Sequence, residues 1–208
     1  MALLFAKNNS LSAVTALPAS VSGGGLNLIS TQTASSSATI DFTSGIDSTY
    51  KQYIFKFYDI HPSATANLEF NATTDGTNFN IVKTSTAFYN EHEEDGGSGQ
   101  MGYSGIDEAQ ATGFQQLTTG SYPSTDADSS IVGTLSIFDP SSTVFVKHFI
   151  SLTTFMGENG SDRSTNSGYV AGYFNTQSAI TGFQFKMRSG NIDSGLIKLF
   201  GVTWCLLV

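Results

Sequence analysis

The chain has 208 residues, only 12% of them charged, and its seventeen acidic and nine basic side chains give a net charge of −8. That balance excludes a nucleic-acid partner, because neutralising phosphates takes clustered Lys and Arg. The single cysteine, Cys205, excludes an internal disulfide and any cysteine-based zinc site.

Ser, Thr, Gly and Asn take the place of the missing charges, a surface chemistry of secreted or virion β-proteins more than of helical cytosolic enzymes. Sixteen Phe and eight Tyr supply the material of a core. No apolar run approaches the roughly 20 residues of a membrane-spanning helix, so no membrane insertion is expected. The opening MALLFAK carries Lys7 after its apolar patch, and the patch is too short for a signal-peptide core. Assembly in a bacterial cytoplasm, with release on lysis, is the expected route.

In chain order, residues 1–39 read as an extended arm rich in Ala, Ser, Thr and Gly. Its apolar points, among them Leu3, Phe5, Leu11 and Leu17, are too scattered for a core but suit attachment to a neighbouring subunit. A sandwich domain is expected over 40–208, beginning with a strand at 38–42. The stretch 50–60, YKQYIFKFYDI, alternates Tyr53, Phe55 and Phe57 against Ile54, Lys56 and Tyr58, and Pro62 stops it. A strand at 66–72 and a second at 80–89 flank Asp75-Gly76, which predicts a hairpin. Residues 91–104, EHEEDGGSGQMGYS, read as a surface loop, 113–118 as a weak strand and 121–129 as another loop. Strands 130–138 and 143–153 pair across Asp139-Pro140-Ser141-Ser142.

The segment TVFVKHFISLT (143–153) has the strongest strand signature of all. Val144, Val146, His148 and Ile150 alternate with Phe145, Lys147 and Phe149, which predicts a central strand covered on both faces. A polar loop is expected at 157–168, a strand at 169–174, and a closing hairpin of 179–187 with 196–207. No apolar period near 3.6 persists for three turns, so no helix is expected. The fold class that follows is all-β: an antiparallel, jelly-roll-like β-sandwich of nine to eleven strands with an extended N-terminal arm.

Candidate chemistry is sparse. Glu91, Glu93, Glu94 and Asp95 form the one dense charge cluster. It lacks the spacing of an EF-hand loop, so it reads as a solvated acidic loop available for contact, although Ca²⁺ or a partner's basic residue would relieve its repulsion. Paired carboxylates could serve a glycosidase, but the lone Trp204 sits in an apolar terminal run instead of a groove. His61, His92 and His148 come with no Gly-x-Ser-x-Gly elbow, and Cys205 reads as an inert buried thiol. No enzyme activity, catalytic residue, metal or cofactor is expected. Tyr103 and Tyr122 are the aromatics available for exposed contact with a host surface glycan. Trp204, Leu206 and Leu207 are the apolar residues that a homo-oligomer, in particular a homotrimer, would hide.

The segments ASSSATIDFTSGIDSTYKQYIFKFYDIHP, FDPSSTVFVKHFIS, GYVAGYFNT and FKMRSGNIDSGLIKLFGV resemble small structural proteins of tailed bacteriophages, especially marine and cyanobacterial ones. The resemblance spans about residues 26–203 and consists of strand and turn motifs, with no catalytic signature. It implies a virion protein carrying a β-sandwich in several copies, with other tail or capsid proteins as partners. Two roles stay open at this point: a tail-fibre or appendage protein that touches the host, and a head decoration or cement protein that bridges capsomers. A carbohydrate-binding module outside any virion is the remoter alternative.

Overall fold

Alternating apolar and polar residues, broken by Gly, Asn, Asp and Ser, dictate strands throughout. The computed structural model describes residues 25–159 and 162–203, and among these there is no helix. The strands are β1 (Gly25–Ser37), β2 (Ile40–Phe42), β3 (Gln52–Pro62), β4 (Leu68–Thr73), β5 (Lys83–Glu93), β6 (Gly99–Tyr103) and β7 (Gln115–Gln116). They continue as β8 (Tyr122–Pro123), β9 (Ile131–Phe138), β10 (Lys147–Asn159), β11 (Asp162–Phe174), β12 (Gly182–Met187) and β13 (Ile192–Thr203). Two antiparallel sheets result. The large one has the order β1-β13-β3-β9-β10-β11-β5-β6, with β8 added on β10; the small one has the order β2-β12-β4-β7.

The core is an aromatic layer between the sheets. Phe55 of the large sheet meets Phe185 of the small one with ring centroids 4.9 Å apart, and Phe70 meets Phe149 at 5.3 Å. Edge-to-face rings such as these add to the gain from burial alone. Tyr53, Phe55 and Phe57 point inward as their alternation predicts.

The two sheets differ on their outer sides. All six residues of β4 are buried. Leu68, Phe70 and Ala72 face the core, while Asn71 turns the other way and donates to the carbonyls of Thr112 and Gly113, both at 3.0 Å. Residues 112–116 therefore lie over β4. Glu69, also buried, sits 3.9 Å from Lys186 and 3.8 Å from Arg188, and burial raises its carboxyl above the usual range. The large sheet has no comparable cover on its outer side among the described residues.

Several expectations need correction. Gly25–Ser37, expected within the arm, is an edge strand hydrogen-bonded to β13 of the same chain. Its Ser/Thr-rich sequence buries little more than Ala34 and so reads like a linker, but β13 offers it a full ladder. Leu3, Phe5, Leu11 and Leu17 lie outside the described residues, as do Trp204, Cys205, Leu206 and Leu207. The strand expected from Thr143 begins at Lys147, because Ser142 Oγ accepts from the amides of Val144 and Phe145 and holds them in a turn. Of its two faces only one is covered: Phe149 is fully buried, whereas Ile150 and Leu152 are exposed.

Both hairpins predicted around β4–β5 and β12–β13 are instead crossings between sheets. β4 and β12 pair with each other in the small sheet, while β5 and β13 belong to the large one. Asp75 shapes its turn as expected, accepting from the amides of Thr77 and Asn78, but a turn residue cannot specify which strand comes next to which. The polar stretches expected as loops at 91–104 and 157–168 are largely ladder: β5 pairs β6 from His92↔Gly99 to Phe88↔Tyr103, and β10 pairs β11 from Lys147↔Phe174 to Asn159↔Asp162.

Candidate functional site

The uncovered outer side of the large sheet is the candidate site, and register builds it row by row. Residues directly opposite on neighbouring strands share a face. One row runs Leu28, Phe200, Ile54, Ser136, Ile150, Ala171 and Thr86 across seven strands. The next row toward the acidic turn carries Lys198, Lys56, Thr134, Leu152, Tyr169, Phe88 and Tyr103. Val132, Tyr58 and Met101 extend the apolar area in the same direction.

This face is exposed. Leu152 is 52% accessible, Tyr103 66% and Met101 76%. Most of the large apolar side chains that the described residues leave in water lie here. Phe88 and Tyr169 stack at 4.7 Å, and His148 lies against Tyr173 at 6.0 Å. A shallow apolar recess of about 480 Å³ opens between His148, Ile150, Tyr173 and Thr84. Large apolar side chains clustered on one exposed face in this way mark a contact surface.

The charges on the face are segregated. Lys56 and Lys198 stand directly opposite each other on β3 and β13. Their ammonium groups lie over aromatic rings, Lys56 5.5 Å from the Phe200 centroid and Lys198 5.3 Å from that of Tyr58. Neither meets a carboxylate within ion-pair distance among the described residues. At the far corner, Glu93, Glu94 and Asp128 line a second recess of about 500 Å³ with His92, Val132 and Met156. The loop behind that corner is pinned by Arg163, whose Nε donates to Asp126 at 2.7 Å and whose guanidinium lies 3.7 Å from Glu158. Hydrogen bonds from Thr65 and Ser124 hold the Glu158 carboxyl below its ordinary range.

The residues expected to make surface contacts are divided by the fold. Tyr103 belongs to the apolar face. Glu93 and Glu94 border it, Glu91 is tied to Gln100, and Asp95 caps the turn by accepting from the Gly97 amide at 2.7 Å. Tyr122 lies elsewhere, beside a polar recess of about 330 Å³ lined by Asn67, Gln116 and Arg188. Among the described residues no group of three His, Cys, Asp or Glu side chains is placed to hold a metal ion. Ile150, Leu152, Phe88, Tyr169 and Met101 were not singled out from sequence. For Ile150 and Leu152 the signal lies in the two apolar faces of residues 143–153, which read as burial on both sides. The chain matches no protein-family model, no curated protein and no solved structure.

Proposed function

We propose that this chain is a structural component of a tailed bacteriophage particle, an appendage subunit that is held in place by protein–protein contact and displays its sandwich at the particle surface. The observation that carries the reading is the apolar outer side of the large sheet, which belongs to an assembled protein more than to a free one. The low charge, the Ser/Thr-rich surface and the strand-and-turn segments that resemble phage structural proteins support the same reading. The polar recess beside Tyr122, on a different part of the surface, stays open for contact with the host.

Mass spectrometry and antibody labelling of density-purified particles test this. The expected result is the chain in multiple copies per particle, labelled on the tail. Its absence from particles that are otherwise complete would show the reading to be wrong.

A further inference from the structure

The opposed lysines on the outer face lie over aromatic rings but meet no carboxylate among the described residues. Like charges placed directly across a ladder repel, and no acidic side chain among the described residues relieves this pair. The chain as a whole is acidic, at −8, so the missing carboxylates are not in short supply. Three of them stand on the same face away from the lysines, where Glu93 lines an apolar recess and Glu94 and Asp128 are exposed beside it, with Arg163 close to Glu94. A surface that bears a cationic pair and an anionic corner, with apolar residues between them, is complementary to itself.

From this we infer that the outer face packs against the same face of a second copy of this chain, with Lys56 and Lys198 of one copy set against Glu94 and Asp128 of the other. The inference builds on the reading of this face as a contact surface but does not require the particle to be a phage. The available area is sufficient. Eight strands about 4.8 Å apart and four outward rows about 6.8 Å apart cover roughly 1,000 Å² of sheet plane. A standard interface takes about 800 Å² from each partner. Leu152, Tyr58 and Val132 would lie inside the contact and lose their exposure to water. The charged groups would select the mutual orientation, since like charges set together across an interface oppose the wrong one.

Light scattering coupled to size exclusion, on the purified full-length chain across the micromolar range, tests the inference. The parent is expected to be a dimer that loosens at high salt. The double variant Lys56→Glu/Lys198→Glu should dissociate about tenfold more readily. The chain carrying Glu94→Lys and Asp128→Lys in addition should associate again, because the two charge sets have exchanged places. Leu152→Glu should give monomers. All four positions of charge reversal are on the surface, and a cooperative melt shows that each variant folds. A monomeric parent, a Leu152→Glu variant that still associates, or a fourfold reversal that melts cooperatively yet fails to reassociate would each overturn the inference. A particle that lacks the chain would leave this result unaffected, so the two readings fail separately.

Discussion

Two lysines face the core of this protein. Lys83 and Lys147 flank Phe174 in one cross-strand row, and both are fully buried. Each ends on a carbonyl: Lys83 Nζ donates to Gly113, and Lys147 Nζ donates to Thr176 at 2.9 Å. Burial lowers both, Lys83 to about 8, against the opposing pull of Glu108 on Lys83 and of Asp139 on Lys147. For an amine lowered on folding, the unfolded chain binds more protons between the folded and unfolded values, so stability rises with pH in that window. Below about pH 8 the full cost of a buried charge is present. Replacing Lys83 with Met removes this cost, so the stability of Lys83→Met relative to the parent should be greatest below pH 8 and decline toward pH 10. Calorimetry of the two proteins across that range checks the sign; a difference that does not change with pH would contradict it.

Tyr53 is the other residue with a specific task. Its ring is buried and its hydroxyl donates to the Asp47 carbonyl at 2.9 Å while accepting from the Asp47 amide at 3.0 Å. The turn at 45–49 is thus fastened to β3 by one phenol. Tyr53→Phe keeps the packing and should cost about 1–2 kcal/mol, measurable by chemical denaturation.

At the scale of elements, β3 and β13 carry a matched pair of irregularities where they pair. β3 shifts register between Phe57 and Ile60, with Asp59 at a φ of 50°, and β13 shifts between Ile192 and Ser194 and again between Ser194 and Leu196, across Gly195. Gly195 has a φ of 116°, and a Cβ there would come within 2.5 Å of the Asp59 carbonyl oxygen. Backbone meets backbone, so neither strand can yield cheaply. Gly195→Ala should cost about 1–3 kcal/mol and lower the melting temperature without altering the strand-rich circular dichroism spectrum. Phe185, at the centre of the aromatic layer against Phe42, Phe55 and Phe57, should cost about 3–5 kcal/mol on truncation to Ala.

The same elements explain what could be read from sequence. Period-two alternation located the strands at 52–62, 131–138 and 182–187 and the inward aromatics among them, because half-burial leaves that imprint. Of the pairings it suggested, that of 131–138 with the strand from Lys147 holds, while the two hairpins around β4–β5 and β12–β13 do not. Asp75-Gly76 and Ser189-Gly190 mark turns, and a turn at a sheet crossing has the same chemistry as one in a hairpin. Polar strand extensions such as 91–93 and 163–168 were hidden for a different reason. Their polar side chains bond one another or neighbouring strands and turns, as where Asn166 donates to Ser164 Oγ at 2.7 Å, so they carry no apolar signature. The contact face was visible in part: Tyr103 was found as an exposed aromatic, but Leu152 and Ile150 looked like core residues because apolarity alone does not reveal what covers it.

For the whole molecule, the asymmetry between the two sheets matters most. The small sheet carries its own cover over β4, and the large sheet leaves apolar and aromatic side chains in water on β1, β3, β5, β6, β9 and β10. A net charge of −8 disperses copies in solution, yet it is unevenly placed on this face, where it favours one mutual orientation. Cryo-electron microscopy of intact particles, at a resolution that places side chains, addresses this asymmetry most directly. We expect the outer side of the large sheet, around Leu152, Tyr169 and Phe88, to be covered by another protein subunit. A map in which that face looks into solvent, while the chain is anchored through the small sheet or the turns at its ends, would contradict the contact role assigned to it.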